Sequence, residues 1–158
     1  MTRTRRPVLA TVLVTAALAL TACGSSDITR PRVEAALLPT FINLYLQQAL
    51  ILGHPGVTAA SMAATDDCDK GGPKLPDTGP GADWICMIHW TDEQGVRQDG
   101  KFELQVRSSS CYTATGPSRI TGTVMIPDTH GVDVPNPVFE FDGCFDPDAT
   151  VPNRPATT

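Results

Sequence analysis

The sequence predicts an α+β fold in which a kinked N-terminal helix packs on one face of a four- to five-stranded antiparallel meander. An apolar segment with helical periodicity comes first, and short apolar or alternating segments follow it. The 14 Pro and 13 Gly supply the turns that short strands need. Four cysteines in the body of the chain are an even set, as expected for two disulfides in an exported domain: Cys68, Cys86, Cys111 and Cys144.

The predicted helix covers 31–52, with Thr29 as a suitable N-cap and Gly53 as a suitable end. Pro39 cannot donate a helical hydrogen bond, so we expect a kink there or a new helix start at Thr40. The apolar positions recur at helical spacing: Val33, Leu37, Phe41, Leu44 and Tyr45.

No charged residue occurs from Pro39 to His54, and the helix is apolar on nearly all sides. Thr40, Asn43 and Gln47 form a narrow, uncharged polar stripe along it. Two interpretations stay open. The helix is a core helix packed across the sheet, or one of its faces lines an apolar pocket, rests on the bilayer or contacts a partner. In the second case these three residues are candidate ligand contacts.

Alternation and turn residues place the strands and loops that follow the helix. The clearest strand is 101–107, which directs Phe102, Leu104 and Val106 toward the core. The other predicted strands are 57–65, 84–90, 120–126 and 138–141. A long loop at 66–82, turns at 92–95 and 99–100, and a bulge at 108–110 are predicted between them.

The four body cysteines allow three pairings. We favour Cys68–Cys86 with Cys111–Cys144, since both bridges close modest loops, worth about 3 kcal/mol each on the chain-entropy model. A metal site would combine these cysteines with histidines. The chain has no Cys-x-x-Cys pair, and thiolates seldom persist outside the cytoplasm, so we expect neither a metal nor another cofactor.

The start of the chain has the pattern of a secretory signal peptide. Three arginines lie within the first six residues, and the uncharged apolar segment 7–20 follows them. The segment is too short to span a bilayer comfortably, because a spanning helix needs about 20 residues. It ends in Leu20-Thr21-Ala22-Cys23, which resembles the lipobox of bacterial lipoproteins. The resemblance implies that Cys23 carries a diacylglycerol and that the leader is removed just before it.

The resemblance implies a cleaved signal peptide (1–22) and a lipidated cysteine with a tether (23–30), and the residue patterns predict a single α+β domain (31–145) and a polar tail (146–158). It implies a location on the extracytoplasmic face of the cell membrane, with the bilayer as partner through Cys23. The architecture is similar to that of small lipoproteins common in actinobacteria. An ordinary signal peptide with an accidental cysteine and an uncleaved membrane helix remain alternatives.

The charge of the chain limits its partners. Residues 23–158 hold nine of the twelve Lys and Arg and all seventeen Asp and Glu, which gives a net charge of −8. An acidic body argues against nucleic acid as a partner and against electrostatic adhesion to anionic headgroups.

Three functions agree with these patterns. The first is a non-catalytic binding or interaction module tethered to the membrane, with an envelope protein or an apolar ligand as its partner. The alternative is a carrier that holds an apolar ligand or lipid in a cavity between helix and sheet. The third is an envelope hydrolase with His89 or His130 as the base. Alternation places His89 on one face of its strand with Ile85 and Met87, away from the tryptophans, where it is also a candidate ligand contact.

Overall fold

The computed structural model describes residues 28–145, so the predicted leader, Cys23 and the predicted tail lie outside the described part. Its helices are α1 (Arg30–Ile51), α2 (Ala59–Met62) and α3 (Ser118–Thr121). Its strands are β1 (Thr65–Lys70), β2 (Gly81–Thr91), β3 (Arg97–Val106), β4 (Cys111–Thr115), β5 (Met125–Pro127), β6 (Asp133–Pro135) and β7 (Glu140–Cys144). The main sheet is antiparallel in the order β1-β2-β3-β4-β7, and β5 and β6 form a separate ribbon. With α1 packed on one face of a five-stranded sheet, the predicted α+β class is confirmed.

α1 is one continuous helix, so the alternative of a new start at Thr40 is wrong. Pro39 lies on its exposed side, and the Thr40 hydroxyl donates to the carbonyl of Ala36 at 2.8 Å. The face toward the sheet is buried and consists of Val33, Leu37, Phe41, Tyr45, Gln48 and Ala49. Within the described chain, no helix has the length and apolar character needed to cross a membrane.

Aromatic rings join α1 to the sheet. The Phe41 ring lies 5.0 Å from the Trp90 ring and 5.3 Å from the Phe102 ring, both edge to face. The alternation predicted for 84–90 and 101–107 is confirmed, because the inward residues of both segments are buried. They are Trp84, Cys86, Ile88 and Trp90 in β2, and Phe102, Leu104 and Val106 in β3.

The preferred disulfide pairing is confirmed. Cys68 and Cys86 face each other across β1 and β2, with Cα atoms 4.0 Å apart. Cys111 and Cys144 do the same across β4 and β7, at 3.9 Å. The first bridge (the inner disulfide) is buried under α1, whereas the second (the outer disulfide) lies on the opposite face of the sheet and is accessible to solvent.

The segment after α1 differs from the prediction. The segment 57–65, predicted as a strand, contains the single-turn helix α2 and the first residue of β1 instead. Thr58 and Ser61 cap α2 with reciprocal hydrogen bonds. β1 lies at the start of the segment predicted as a long loop. Its three aspartates disfavour a strand, but β1 is an edge strand, where charged side chains are tolerated, and the inner disulfide fixes it to β2.

Gly100 was predicted in a turn with Asp99, and this is wrong. It lies inside β3 opposite Ile88. A Cβ atom at this position would be 2.9 Å from the Trp90 ring, so glycine is needed because the ring covers the strand here.

Two further segments were also predicted wrongly. Residues 108–110 form the turn between β3 and β4 instead of a bulge, with Ser110 at φ 62° and the backbone N–H of Arg107 donating to the Cys111 carbonyl. Residues 120–126, predicted as one strand, are divided between α3 and β5 by Gly122 at φ 90°. The last strand of the main sheet begins at Glu140, within the predicted segment 138–141.

The turn predicted at 92–95 is confirmed and connects β2 to β3. The Asp92 carboxylate accepts from the backbone N–H groups of Gln94 and Val96 at 3.0 and 2.8 Å, and Gly95 has φ 78°. An aspartate that binds its own turn and a glycine in the left-handed region are typical of this hairpin connection. It places Glu93 at one end of the sheet, beside α1.

Candidate functional site

The polar stripe predicted on α1 lies on the side of the helix away from the sheet. Asn43 and Gln47 are exposed, and Thr40 is half-buried with its hydroxyl bonded to its own helix. Asn43 and Gln47 therefore do not line the boundary between helix and sheet, whereas Thr40 lies at its edge, beside the Tyr112 hydroxyl. The polar side chain of α1 that does enter the structure is Gln48, which the sequence analysis missed.

Gln48 links α1 to the segments that follow β4. Its amide N–H donates to the carbonyl of Thr121 at 2.6 Å and to the side-chain oxygen of Asn136 at 2.8 Å. Gln48 and Asn136 are both buried, and the hydrogen bond between their side chains satisfies a donor of Gln48 and an acceptor of Asn136. No short-range pattern distinguishes Gln48 from Gln47, because its burial depends on partners 73 and 88 residues away.

His89 lies on the outer face of the main sheet, opposite α1, so it does not meet the stripe of Thr40, Asn43 and Gln47. Its Nδ1 and the Asp99 carboxylate oxygen are 2.5 Å apart, and about a third of its side chain is exposed (34%). Thr65 is its register partner on β1. The hydrogen bonds found in residues 28–145 include none between His89 and a Ser, Thr or Cys side chain, so this pair has no aligned nucleophile.

His130 is in a different place. It lies in the turn between β5 and β6 with 82% of its side chain exposed, and its backbone N–H donates to the Asp128 carboxylate. That bond and a second one from the Val132 N–H lower the pKa of Asp128. The two histidines considered as bases therefore do not share a site. Among the described residues, no group of three or more His, Cys, Asp or Glu side chains is arranged to hold a metal.

Two surface pockets adjoin the turn between β2 and β3 and share Asp92 and Glu93. One has a volume of about 470 Å³ and lies against α2, near His54 and Ser61. The other, which we call the turn pocket, has a volume of about 400 Å³. It brings together segments distant in sequence: Tyr45 of α1, Trp90 of β2, Glu93 of the turn, Gln98 of β3 and Arg119 of α3.

Hydrogen bonds organise the carboxylates of the turn pocket. The Tyr45 hydroxyl donates to Glu93 at 2.8 Å, and the Gln98 amide donates to Asp92 at 2.6 Å. Burial acts to raise the pKa of Glu93, but bonds from its own backbone N–H, Tyr45 and Gln94 outweigh it, so this pKa is lowered. Glu93 is therefore ionised and fixed in position at neutral pH.

The Tyr45 and Trp90 side chains meet in this pocket. Burial raises the pKa of Tyr45, and the nearby N–H of Trp90 acts against that shift. That indole N–H is itself buried and has no acceptor at hydrogen-bond geometry within residues 28–145. The Arg119 side chain is exposed at the rim. A pocket with an exposed guanidinium and a fixed carboxylate is suited to a small polar molecule that both accepts and donates hydrogen bonds.

The space between α1 and the sheet is filled by side chains. The Tyr45 and Trp90 rings are 5.8 Å apart, and Phe41 lies against both. Of the two pockets described, neither lies between the helix and the centre of the sheet. A carrier function would require these rings to separate.

No family model, no curated protein and no solved structure matches this chain.

Proposed function

We propose that the protein is a lipid-anchored binding module on the extracytoplasmic face of the cell membrane. The supporting observation is the use of the cysteines. Two disulfides engage Cys68, Cys86, Cys111 and Cys144, which leaves Cys23 as the remaining cysteine of five. Cys23 is also the residue that the lipobox resemblance assigns to the lipid, and disulfides persist in the oxidising space outside the cytoplasm.

The anchor has a physical reason to be stable. One acyl chain binds a membrane only marginally, at about 0.8 kcal/mol per buried methylene, whereas two chains hold a protein stably. A tethered protein stays at a high effective concentration near other components of the envelope. A binding module that is tethered in this way meets its partner more often than a freely diffusing module does.

The Cys23→Ser substitution tests the anchor. The full chain is expressed in a bacterium that processes lipoproteins, and its membrane and soluble fractions are compared. We expect the unsubstituted chain in the membrane fraction and the Cys23→Ser chain in the soluble fraction. The control is Cys23→Ser/Ser25→Cys, which restores a cysteine two residues away from the motif and should not restore anchoring. A Cys23→Ser protein as membrane-bound as the unsubstituted chain contradicts the proposal.

The turn pocket is the proposed binding site, because it combines the fixed Glu93 carboxylate with the exposed Arg119 guanidinium. A photo-crosslinking residue placed at Arg119, in the full chain in cells, is expected to give one defined adduct. The same residue at Glu103, on the outer face of the sheet, is the control and should give none. Equal adducts from both positions, or none from Arg119, count against the pocket.

The alternative proposal is a carrier of an apolar ligand, supported by the absence of charged residues from Ala35 to the end of α1. It requires lipid between α1 and the sheet, so native mass spectrometry of the purified protein should show a noncovalently bound lipid. A mass without bound lipid argues for the binding module.

A further inference from the structure

From Ala35 onward, the outward face of α1 is uncharged; Arg32 lies on the same face nearer the start of the helix. Leu50 is 59% exposed, and Leu46 and Ile42, one and two turns before it, are half-buried. The residues between them on this face are the amides Asn43 and Gln47, both exposed. From position 35 to position 53 there is no charged side chain, which is unusual for a helix face that meets water.

The opposite side of the molecule is acidic. Register places the side chains of alternate residues on the outer face of the main sheet, away from α1. The acidic residues there are Asp67, Asp69, Asp99, Glu103, Glu140 and Asp142. Lys101 and Arg107 of the same face pair with Glu103 and Asp142. Arg30 at the start of α1 pairs with Asp67, and His89 contacts Asp99. The domain therefore has one uncharged side, formed by the helix from Ala35 onward, and one acidic side, formed by the sheet.

The chain leaves little distance between the proposed anchor and α1. Ile28 is buried, with 1% of its surface exposed, and its carbonyl accepts from the Gly79 N–H at 2.9 Å. Thr29 pairs with Thr78, and α1 begins at Arg30. Residues 24–27 separate Cys23 from Ile28, and the five Cα–Cα steps between them span at most about 18 Å. α1 begins two residues further, at Arg30, so its first residue lies within about 25 Å of Cys23.

We propose that α1 lies along the membrane surface, with its outward face in the boundary between headgroups and acyl chains and the acidic sheet face turned away. The inference rests on the proposed anchor at Cys23. Contact is apolar, since the body has a net charge of −8 and anionic headgroups repel the acidic face. That repulsion turns the acidic sheet face away from the membrane, and insertion of the exposed Leu50 turns the outward face of α1 toward it, so both favour the same orientation.

Spin labels on the two faces measure the orientation. Gln47→Cys places a label on the helix face and Gln105→Cys places one on the outer sheet face, and both glutamines are exposed. The acylated full chain is reconstituted into vesicles of phosphatidylcholine and phosphatidylglycerol. Collisions with oxygen, which concentrates in lipid, are compared with collisions with a water-soluble nickel chelate. We expect the oxygen-to-nickel collision ratio to be several-fold higher at position 47 than at position 105.

A matched pair of substitutions tests the apolar contact. Leu50→Glu and Val96→Glu add the same charge at side-chain positions that are 59% and 54% exposed. We expect Leu50→Glu to lower the collision ratio of the label at position 47 toward that at position 105, and Val96→Glu to leave it unchanged.

The remaining outcomes show whether the orientation of α1 or the lipid anchor at Cys23 has been refuted. Vesicle-bound protein with equal ratios at both positions overturns the inference alone. A label at position 47 shielded from both reagents means that a second copy or another segment covers the helix, which also overturns it. Protein that does not sediment with vesicles refutes the anchor, and the inference with it.

Discussion

Removal of the inner disulfide by Cys68→Ala/Cys86→Ala is expected to lower the free energy of unfolding by about 4–5 kcal/mol. The bridge closes a loop with a sequence separation of 18, worth about 3 kcal/mol on the chain-entropy model. Both cysteines are fully buried under α1, so their removal also costs buried contacts, roughly 1–2 kcal/mol. β1 is the strand that loses its fixed position. Urea unfolding followed by tryptophan fluorescence measures the change.

The outer disulfide is the control for this prediction. It closes a longer loop, with a sequence separation of 33, so chain entropy alone assigns it the larger effect, about 3.5–4 kcal/mol. Cys111 and Cys144 are accessible to solvent, and their removal opens no cavity in the core. We therefore expect Cys111→Ala/Cys144→Ala to be the less destabilising variant. The reverse order would mean that burial under α1 contributes nothing to the inner bridge.

Substitution of Gly143 by alanine is expected to lower the free energy of unfolding by about 3 kcal/mol. Gly143 lies opposite Tyr112 in the pair formed by β4 and β7, and a Cβ atom there would be 2.3 Å from the tyrosine oxygen and 2.4 Å from the ring carbon that bears it. The ring cannot move easily. It is fully buried, it stacks on Phe145 at 5.6 Å, and its hydroxyl donates to the Ala36 carbonyl of α1 at 3.2 Å.

A double-mutant cycle tests this reason. In a Tyr112→Leu background the clash is absent, so Gly143→Ala should then cost less than about 1 kcal/mol. Gly56→Ala serves as a control, because no atom lies within 4 Å of the added carbon, and we expect a change within about 0.5 kcal/mol. If Gly143→Ala costs no more than Gly56→Ala, Tyr112 does not occupy the space over β7.

The sequence was sufficient for the elements whose own side chains determine their structure. β3 alternates from Lys101 onward, and the aromatic segment of β2 has no polar residue on its inner face. The sequence was insufficient where the structure of a segment depends on contacts with residues distant in the chain. β1 contains three aspartates and is a strand because Cys68 is bonded to Cys86. Gly100 resembles a turn residue and is a strand residue because Trp90 covers it.

The candidate site could not be predicted from the sequence for a related reason. The turn between β2 and β3 was predicted, but the turn pocket also needs Tyr45 and Arg119, which lie 48 residues before Glu93 and 26 residues after it. No spacing within one segment relates these positions. The stripe of uncharged residues on α1 was found, but only the register of the sheet shows that it lies opposite an acidic face.

The intact mass of the protein purified from the membrane of a lipoprotein-processing bacterium tests the central proposal most directly. We expect a chain that begins at residue 23, is heavier than the 136-residue polypeptide by at least a diacylglyceryl group, and is four hydrogens lighter for its two disulfides. A mass that equals the 158-residue chain, with the leader present and no lipid on Cys23, would contradict the anchor, the compartment and the proposed role together.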